Sequence, residues 1–483
     1  MIQVNKKVTR FALISLLAIS IVRYFVELGS EMSVHSLNIT IYSCFFAFIL
    51  LLIAREDQIE LKNNYLRISV IFSVGFIIVH FFSYWSYCLG IIPYPVSTGA
   101  YSKYIVNESA ILSLCCFLCF AIGYQSYKYL NGHSVKKSIF QISCKRRILE
   151  YAFIVSVIAF YLFTDKRYFQ TGGNYEITNG EGLSLLSSLS QFFVLSSQVA
   201  CGIQRIYNLN KCSFIRYMLS FSFVYYSAIV IYSILIIMSG DRGPLIYLTF
   251  GYMAPYFILN AKKFNLKYFC SAIVIGAIFM TFLGFLRNLD GDITSSKISE
   301  ANSNLDENLQ GEGAWLFGPT MALSNVVRAN NVVYEFTNDT DVAYGLGYID
   351  GFLGFIPGLR SYVVYPLLGI DNNDLVNTAH LSTVLLHENH GMGTSPVADT
   401  YFNFGFWGCL AVFFLFGRIS RRMDIFIHKK EGHLFFYSAS FWFLIYSIYI
   451  GRSTFFAPIT LSIYTWLTMR VALFFTNKKI NMH

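Results

Sequence analysis

Blocks of about 17 to 24 apolar residues recur along this chain, each long enough to cross a hydrocarbon core of about 30 Å. They fall at 8–29, 36–54, 66–87, 107–127, 149–164, 184–204, 217–238, 244–260, 268–286, 401–417, 434–450 and 454–474. Backbone polar groups must be satisfied inside lipid, so blocks of this length read as helices. The expectation is an all-α polytopic membrane protein of about twelve transmembrane helices, with the spans at 149–164 and 244–260 the shortest. Composition agrees. The chain is 55% hydrophobic and 13% charged, where a soluble domain carries roughly 25% charge. The reading is one integral membrane domain over 1–483. The first apolar run is long enough to span and no A-x-A-like cleavage site follows it, so it serves as its own insertion signal.

The net charge of +9 raises the question of a nucleic-acid partner, and its distribution answers it. When the loops are numbered alternately from the N-terminus, 25 lysines and arginines fall in one set and 9 in the other. The rule that positive loops stay inside then puts both termini in the cytoplasm. The charge is a topology signal, and no nucleic-acid partner is expected. The ten cysteines show neither disulfide nor zinc spacing, and packing is their default role.

One long polar stretch, 287–400, interrupts the apolar body on the outer side. Loops of this length usually carry function. Residues 289–310 are polar, whereas 314–336 and 342–370 are rich in aromatic residues, leucine and glycine, and read as amphipathic or re-entrant segments on the outer leaflet. The stretch holds 14 acids against Arg287, Lys297, Arg328 and Arg360. Sparse arginines in an acidic segment suit an anionic ligand.

Several constellations could carry chemistry. Ser239 to Pro244 reads SGDRGP at the junction of two spans. A tight hairpin there aims the Arg242 guanidinium outward, and a guanidinium grips phosphate with a planar fork. Alternatively, Arg242 simply pairs with Asp241. His380, His387 and His390 lie within eleven residues, and on a helix they would share roughly one face. They admit three readings: a metal site with Glu388 or Asp399, a general base, or surface histidines. GMGTSPVADTYFNFG (Gly391 to Gly405) runs from a glycine-rich loop into a span. Asp399 and Asn403, four apart, share a face of that helix, and Thr394 or Ser395 could cap it. Arg23 and Glu27 form either an intramembrane ion pair or a snorkelling pair. Arg452 joins Arg242, Arg287, Arg328 and Arg360 as outward arginines, which together suit a lipid pyrophosphate.

At these residues the chain resembles a known family. SGDRGPLIYLTFG is similar to the Gly-x-Arg-Gly element of Wzy-type O-antigen polymerases, and GMGTSPVADTYFNFGFWG to their Gly-x-Gly-x-Ser-Pro stretch. Asp399 departs from the glutamate of that pattern, and the paired arginine–glycine motifs of some polymerases are not found. The resemblance implies a bacterial inner-membrane glycosyltransferase of the GT-C type, without cofactor or metal. It would join undecaprenyl-pyrophosphate-linked oligosaccharide repeat units at the periplasmic face, moving the growing chain onto the next lipid-linked unit. A flippase and a chain-length regulator of the same pathway would be its partners. In that reaction Arg242, with one or more of Arg287, Arg328, Arg360 and Arg452, would stabilise the leaving pyrophosphate. His390, His387 or Asp399 would be the base. Asp241, Asn403 and His380 would line the substrate, and Trp315 or Tyr334 would stack on sugars or anchor the loop. The alternatives are an O-antigen ligase, which shares the topology, a lipid-linked oligosaccharide flippase or transporter, for which only Arg23 and Glu27 speak, and a non-catalytic scaffold of the export complex.

Overall fold

The computed structural model describes residues 4–92, 101–127, 146–169, 185–239, 241, 243–272, 275–276, 326–356, 358–368, 376–387, 391–430 and 433–475. Among them the chain is helical, with no strand beyond one bridge between Val4 and Ala54. The long helices are α1 (Lys6–Val26), α2 (Val34–Ile53), α3 (Ile68–Cys88), α4 (Ile105–Ser126), α5 (Arg146–Phe163) and α6 (Leu185–Asn208). A short α7 (Phe214–Met218) leads to α8 (Phe223–Ser239) and α9 (Gly243–Leu259). After residues outside the description come α10 (Val326–Asp339), α11 (Leu346–Leu353), α12 (Thr378–Leu385), α13 (Pro396–Lys429), α14 (Leu434–Ile450) and α15 (Ala457–Phe475). Seven of these, α1, α2, α3, α4, α6, α13 and α15, are long and apolar enough to cross a membrane, and α8, α9 and α14 are shorter apolar helices. This is a multi-pass membrane protein. The 268–286 block is helical at 268–272 and lies mostly outside the described residues.

The outer helices show why the apolar blocks carry little polar patterning. Tyr151, Val155, Ile158 and Leu162 of α5 are exposed at steps of three and four, as are Ile39, Tyr42, Phe46 and Ile49 of α2. Such stripes face outward because their solvent is hydrocarbon rather than water. α4 sits at the centre, buried along almost its whole length and packed on α1, α2 and α13. α4 and α13 meet through glycine. A Cβ on Gly123 would lie 2.1 Å from the Phe414 carbonyl oxygen, and one on Gly417 2.1 Å from that of Phe120. Small residues at membrane helix crossings let backbones approach this closely. Gly417→Ala is therefore expected to destabilise the bundle by about 1–3 kcal/mol, read as a fall in the unfolding temperature of the purified protein. The control Leu415→Ala, on an exposed position of the same helix, should leave it near wild type.

Buried charges lock the end of the bundle that holds the N-terminus. Arg421 of α13 forks onto Glu56, which also accepts from Arg67 (3.2 Å). Burial pushes the Glu56 carboxyl up, but the hydrogen bonds and charge of Arg421, with the charge of Arg67, hold it below its usual range. Asp424 accepts from the Ile68 amide and the Tyr124 hydroxyl, both at 2.8 Å. On the other half, Arg205 of α6 pairs with Glu150 of α5 and lies over the Phe221 ring. Opposite charge and these hydrogen bonds offset the cost of desolvating each group, although Arg67 Nε and Arg421 Nε have no hydrogen-bond partner among the described residues. Arg23 and Glu27 do form an ion pair (3.0 Å), and Arg23 also donates to Ser36 of α2 (2.9 Å). The nine described cysteines are free thiols.

Candidate functional site

The opposite end of the bundle is built around a broken helix. α13 has 34 residues, about 51 Å of helix at 1.5 Å per residue, and it is interrupted at Gly405 (φ 65°, ψ −166°). That backbone region is essentially open to glycine alone. The break frees carbonyls that a continuous helix would have used, and the preceding loop takes them. The Ala343 amide donates to Phe402 O (2.7 Å) and the Gly345 amide to Asn403 O (3.2 Å). The Gly347 amide donates to Asn403 Oδ1 (2.8 Å), while Asn403 Nδ2 donates to Asp399 O (2.7 Å). Both ends of the Asn403 amide are thus engaged within the protein, so this side chain organises the site rather than facing a ligand.

The segment Pro396–Phe404 carries Asp399 inward. Ser395 caps it, accepting from the Ala398 amide (2.9 Å), with Pro396 at the first helical position, where its missing N–H costs nothing. Asp399 is buried; its Oδ1 accepts from the Thr378 hydroxyl (3.2 Å), which also bonds Thr394 (2.8 Å). Its Oδ2 has no hydrogen-bond partner among the described residues. A buried carboxylate oxygen without a donor is costly and is a place where a ligand hydroxyl can donate. Asp350 of α11 lies within electrostatic range. The 391–395 loop is fastened to α12 by Ser382 Oγ on Gly393 O (2.9 Å) and by the Met392 amide on Thr383 Oγ1 (3.1 Å).

α10 forms the floor beside this segment. Asn330 donates to Ser109 of α4 (2.6 Å) and accepts from Ser395 (2.9 Å). Asn331 pairs with the Tyr84 hydroxyl of α3 (3.1 Å). The Tyr334 hydroxyl donates to Glu108 Oε2 (3.0 Å) and shares a bond with Tyr24 (2.5 Å), and its ring stacks on Tyr401 with centroids 4.4 Å apart. α11 turns the water-soluble pattern inside out. Leu346, Ile349 and Phe352 are exposed, while Gly347 and Asp350 are buried. This fits an element resting at an apolar boundary.

A model of the O-antigen polysaccharide polymerase Wzy family matches residues 8–482. The chain belongs to that family. The family's subject is polymerisation of O-antigen polysaccharide, a glycosyltransferase-type activity on lipid-linked oligosaccharide units. No curated protein and no solved structure matches the chain.

Within this Wzy polymerase the sequence candidates separate. Arg242, Arg287, His390, Glu388 and Trp315 lie outside the described residues. Asp241 accepts from the Gly243 amide (3.1 Å) and sits within electrostatic range of Tyr232, Tyr247 and Tyr446. Arg452 lies over Gly393, whose missing Cβ would be 3.9 Å from Arg452 Nε. Arg328 is half-buried on α10 within range of Tyr101. Arg360 pairs with Asp350 (2.9 Å). His380 and His387 do not share a helix face, which corrects that expectation for the two described histidines. α12 ends at Leu385, and His387 follows in a left-handed turn (φ 51°) while His380 is exposed on the helix. Among the described residues no group of His, Cys, Asp and Glu could hold a metal ion. Tyr334 is 1% exposed, so its ring serves the protein interior and not a sugar face.

Sequence reasoning missed Asn330, Asn331 and Glu108. Each is a polar residue inside an apolar or amphipathic segment, and such residues are costly unless paired. That signal was readable for Glu108, which stands alone in its span. The missed Asp350 and Tyr365 carried only the weaker signal of polar groups in an amphipathic run. Burial, and then the Asp350 carboxylate beside it, hold the Tyr365 hydroxyl well above the ordinary phenol range, so it remains a proton donor to Asp350 (2.8 Å).

Proposed function

We propose that this Wzy-family chain is a GT-C-type glycosyltransferase of about twelve spans in a bacterial inner membrane, with both termini in the cytoplasm. It joins undecaprenyl-pyrophosphate-linked repeat units into O antigen or a related surface polysaccharide at the periplasmic face. The observation that carries the reading is Asp399, a buried carboxylate with one oxygen unclaimed, held on a broken helix at the end of the bundle away from the basic loops. In the reaction Asp399 takes the proton from an acceptor sugar hydroxyl, and that oxygen attacks the anomeric carbon of the growing chain. The bond from that carbon to the pyrophosphate breaks, and undecaprenyl pyrophosphate leaves with the electron pair. Arg242, with Arg452 over the 391–395 loop, and Arg287, Arg328 and Arg360 supply the positive charge that a leaving pyrophosphate needs. His387 and His390 are the alternative bases. The 287–400 stretch forms the wall of the site. A flippase and a chain-length regulator of the same pathway are the expected partners.

The test is genetic and biochemical. Deleting the gene in its host is expected to leave lipopolysaccharide as core plus a single repeat on a gel. Bare core with polymer trapped on its lipid carrier would instead mean a ligase, and bare core without exported repeats a flippase. Complementation with Arg242→Ala is expected to fail to restore the ladder. A normal ladder from that variant would remove Arg242 from the mechanism.

A further inference from the structure

We infer that Asp350 is a positioning residue that presents the Arg360 guanidinium as a clamp for a pyrophosphate group, with Tyr365 fixing the carboxylate from its other side. The inference rests on the proposed function and names a working part of that site.

The pair is asymmetric. The Asp350 side chain is 6% exposed and that of Arg360 38%, so the carboxylate is hidden and the guanidinium is at the surface. Each Asp350 oxygen has one donor: Oδ2 takes Arg360 Nη1 (2.9 Å) and Oδ1 takes the Tyr365 hydroxyl (2.8 Å). A carboxylate held from both sides cannot swing, so it fixes the plane of the guanidinium it pairs with. Arg360 Nε and Nη2 make no hydrogen bond within the protein among the described residues. That leaves one edge of the fork open, the geometry that binds two oxygens of a phosphate at once.

The local chain makes room for this pose. A Cβ on Gly354 would lie 3.4 Å from Arg360 Cζ and 3.5 Å from Nε, so the guanidinium rests against bare backbone at the end of α11. α11, which carries Asp350, is bonded to the Asp399 segment through Gly347 to Asn403 (2.8 Å) and Tyr348 to Thr400 (2.7 Å), so the clamp and the proposed base sit on elements in direct contact. Without Arg360 the two carboxylates would repel an anion, and with it one of them is neutralised and turned into a support. A surface ion pair far from the site would do none of this.

The experiment uses the full chain in phosphatidylcholine nanodiscs and inorganic pyrophosphate as the probe, with binding read by calorimetry. Arg360→Ala is expected to weaken pyrophosphate binding about tenfold, the worth of one charge-assisted fork. Asp350→Asn, close in shape to the native residue, is expected to weaken it to a similar degree. The double variant should be no weaker than Arg360→Ala alone, because Asp350 acts through Arg360. In polymerisation assays Asp350→Asn should raise KM for the lipid-linked unit, and any fall in kcat from the weakened leaving-group contact should come together with that rise. Wild-type pyrophosphate binding by Asp350→Asn, losses that multiply in the double variant, or a fall in kcat at constant KM would each overturn the inference. If Asp350→Asn fails to fold, Tyr365→Phe keeps the ion pair and removes one anchor. It should weaken binding by a smaller factor, and no change would overturn the inference. Adding anionic phosphatidylglycerol should not compete with pyrophosphate. Competition that vanishes in Arg360→Ala would assign the clamp to bulk headgroups and overturn it. Binding needs no turnover, so the two readings fail separately. Arg360-dependent binding in a chain that makes no polymer would sink the proposed function alone, and polymerisation without such binding would sink the clamp alone.

Discussion

Asp399→Asn is expected to lower the polymerisation rate by about 10²–10⁴-fold, the usual worth of a positioned general base, while leaving the unfolding temperature unchanged or higher. The two readouts move apart for one reason. Asp399 is buried, and its Oδ2 has no donor among the described residues. An unpaired charge costs more to bury than an amide. The carboxamide oxygen can still accept from Thr378, so the substitution removes a buried charge without removing that bond. It also removes the only group at that position able to take a proton from an acceptor hydroxyl. Asp399→Glu restores the acid with a longer arm, and a measurable fraction of activity should return. Both readouts come from purified protein, one with lipid-linked repeat units and one by thermal melt. Wild-type rates in Asp399→Asn would dismiss this residue as the base and turn attention to His387 and His390.

Gly405→Ala should lower activity about 10²-fold through misplacement of groups that do not themselves react, and lower stability by about 1–3 kcal/mol. Gly405 holds φ 65° and ψ −166°, where a Cβ is strained whatever space surrounds it. The space is in fact adequate, since the added Cβ would lie 3.6 Å from Val342 Cγ1. The penalty is therefore conformational. A side chain there favours a continuous helix, which would reclaim the Phe402 and Asn403 carbonyls from the Ala343 and Gly345 amides. The 343–347 loop would lose its seat, and Tyr348, which bonds Thr400 (2.7 Å), would move with it. Activity in membranes and thermal unfolding measure the two effects. A variant with full activity would show that the break has no part in placing Asp399.

Much of the fold was legible because lipid enforces it. Apolar length marks a helix almost regardless of what the helix packs on, and α1 to α4 lie within a few residues of the blocks read from sequence. α13 was less legible. Its apolar block was read as 401–417, yet the helix runs from Pro396 to Lys429. The extra turns carry Arg418, Arg421, Arg422 and Asp424, whose charges look like loop until Glu56, Ile68 and Tyr124 are seen to satisfy two of them. In the candidate site, Asp399 could be picked out from its motif, because a carboxylate at a helix start is conspicuous. The role of Asn403 could not be read, because it depends on the amide of Gly347, 56 residues away, and on a backbone break that a lone glycine does not announce. Asp350 and Arg360 are ten residues apart, but their meeting needs the turn between them, which no periodicity encodes.

The polar beginning of α4 has a consequence for how the chain is made. Ser109 and Glu108 are sealed by Asn330 and Tyr334, which follow them by 221 and 226 residues. At about 5–20 residues per second that interval is roughly 10–45 s of synthesis. Throughout it the central helix has its apolar length in place and Glu108 Oε1 on the Gly29 amide, but Glu108 Oε2 and Ser109 still lack their later partners. The nascent protein thus carries an unfinished end on its central helix, beside the candidate site, and α10 is the late piece that covers it. Chains stopped before residue 326 should therefore hold α4 in the membrane while leaving that end open to water and to proteases.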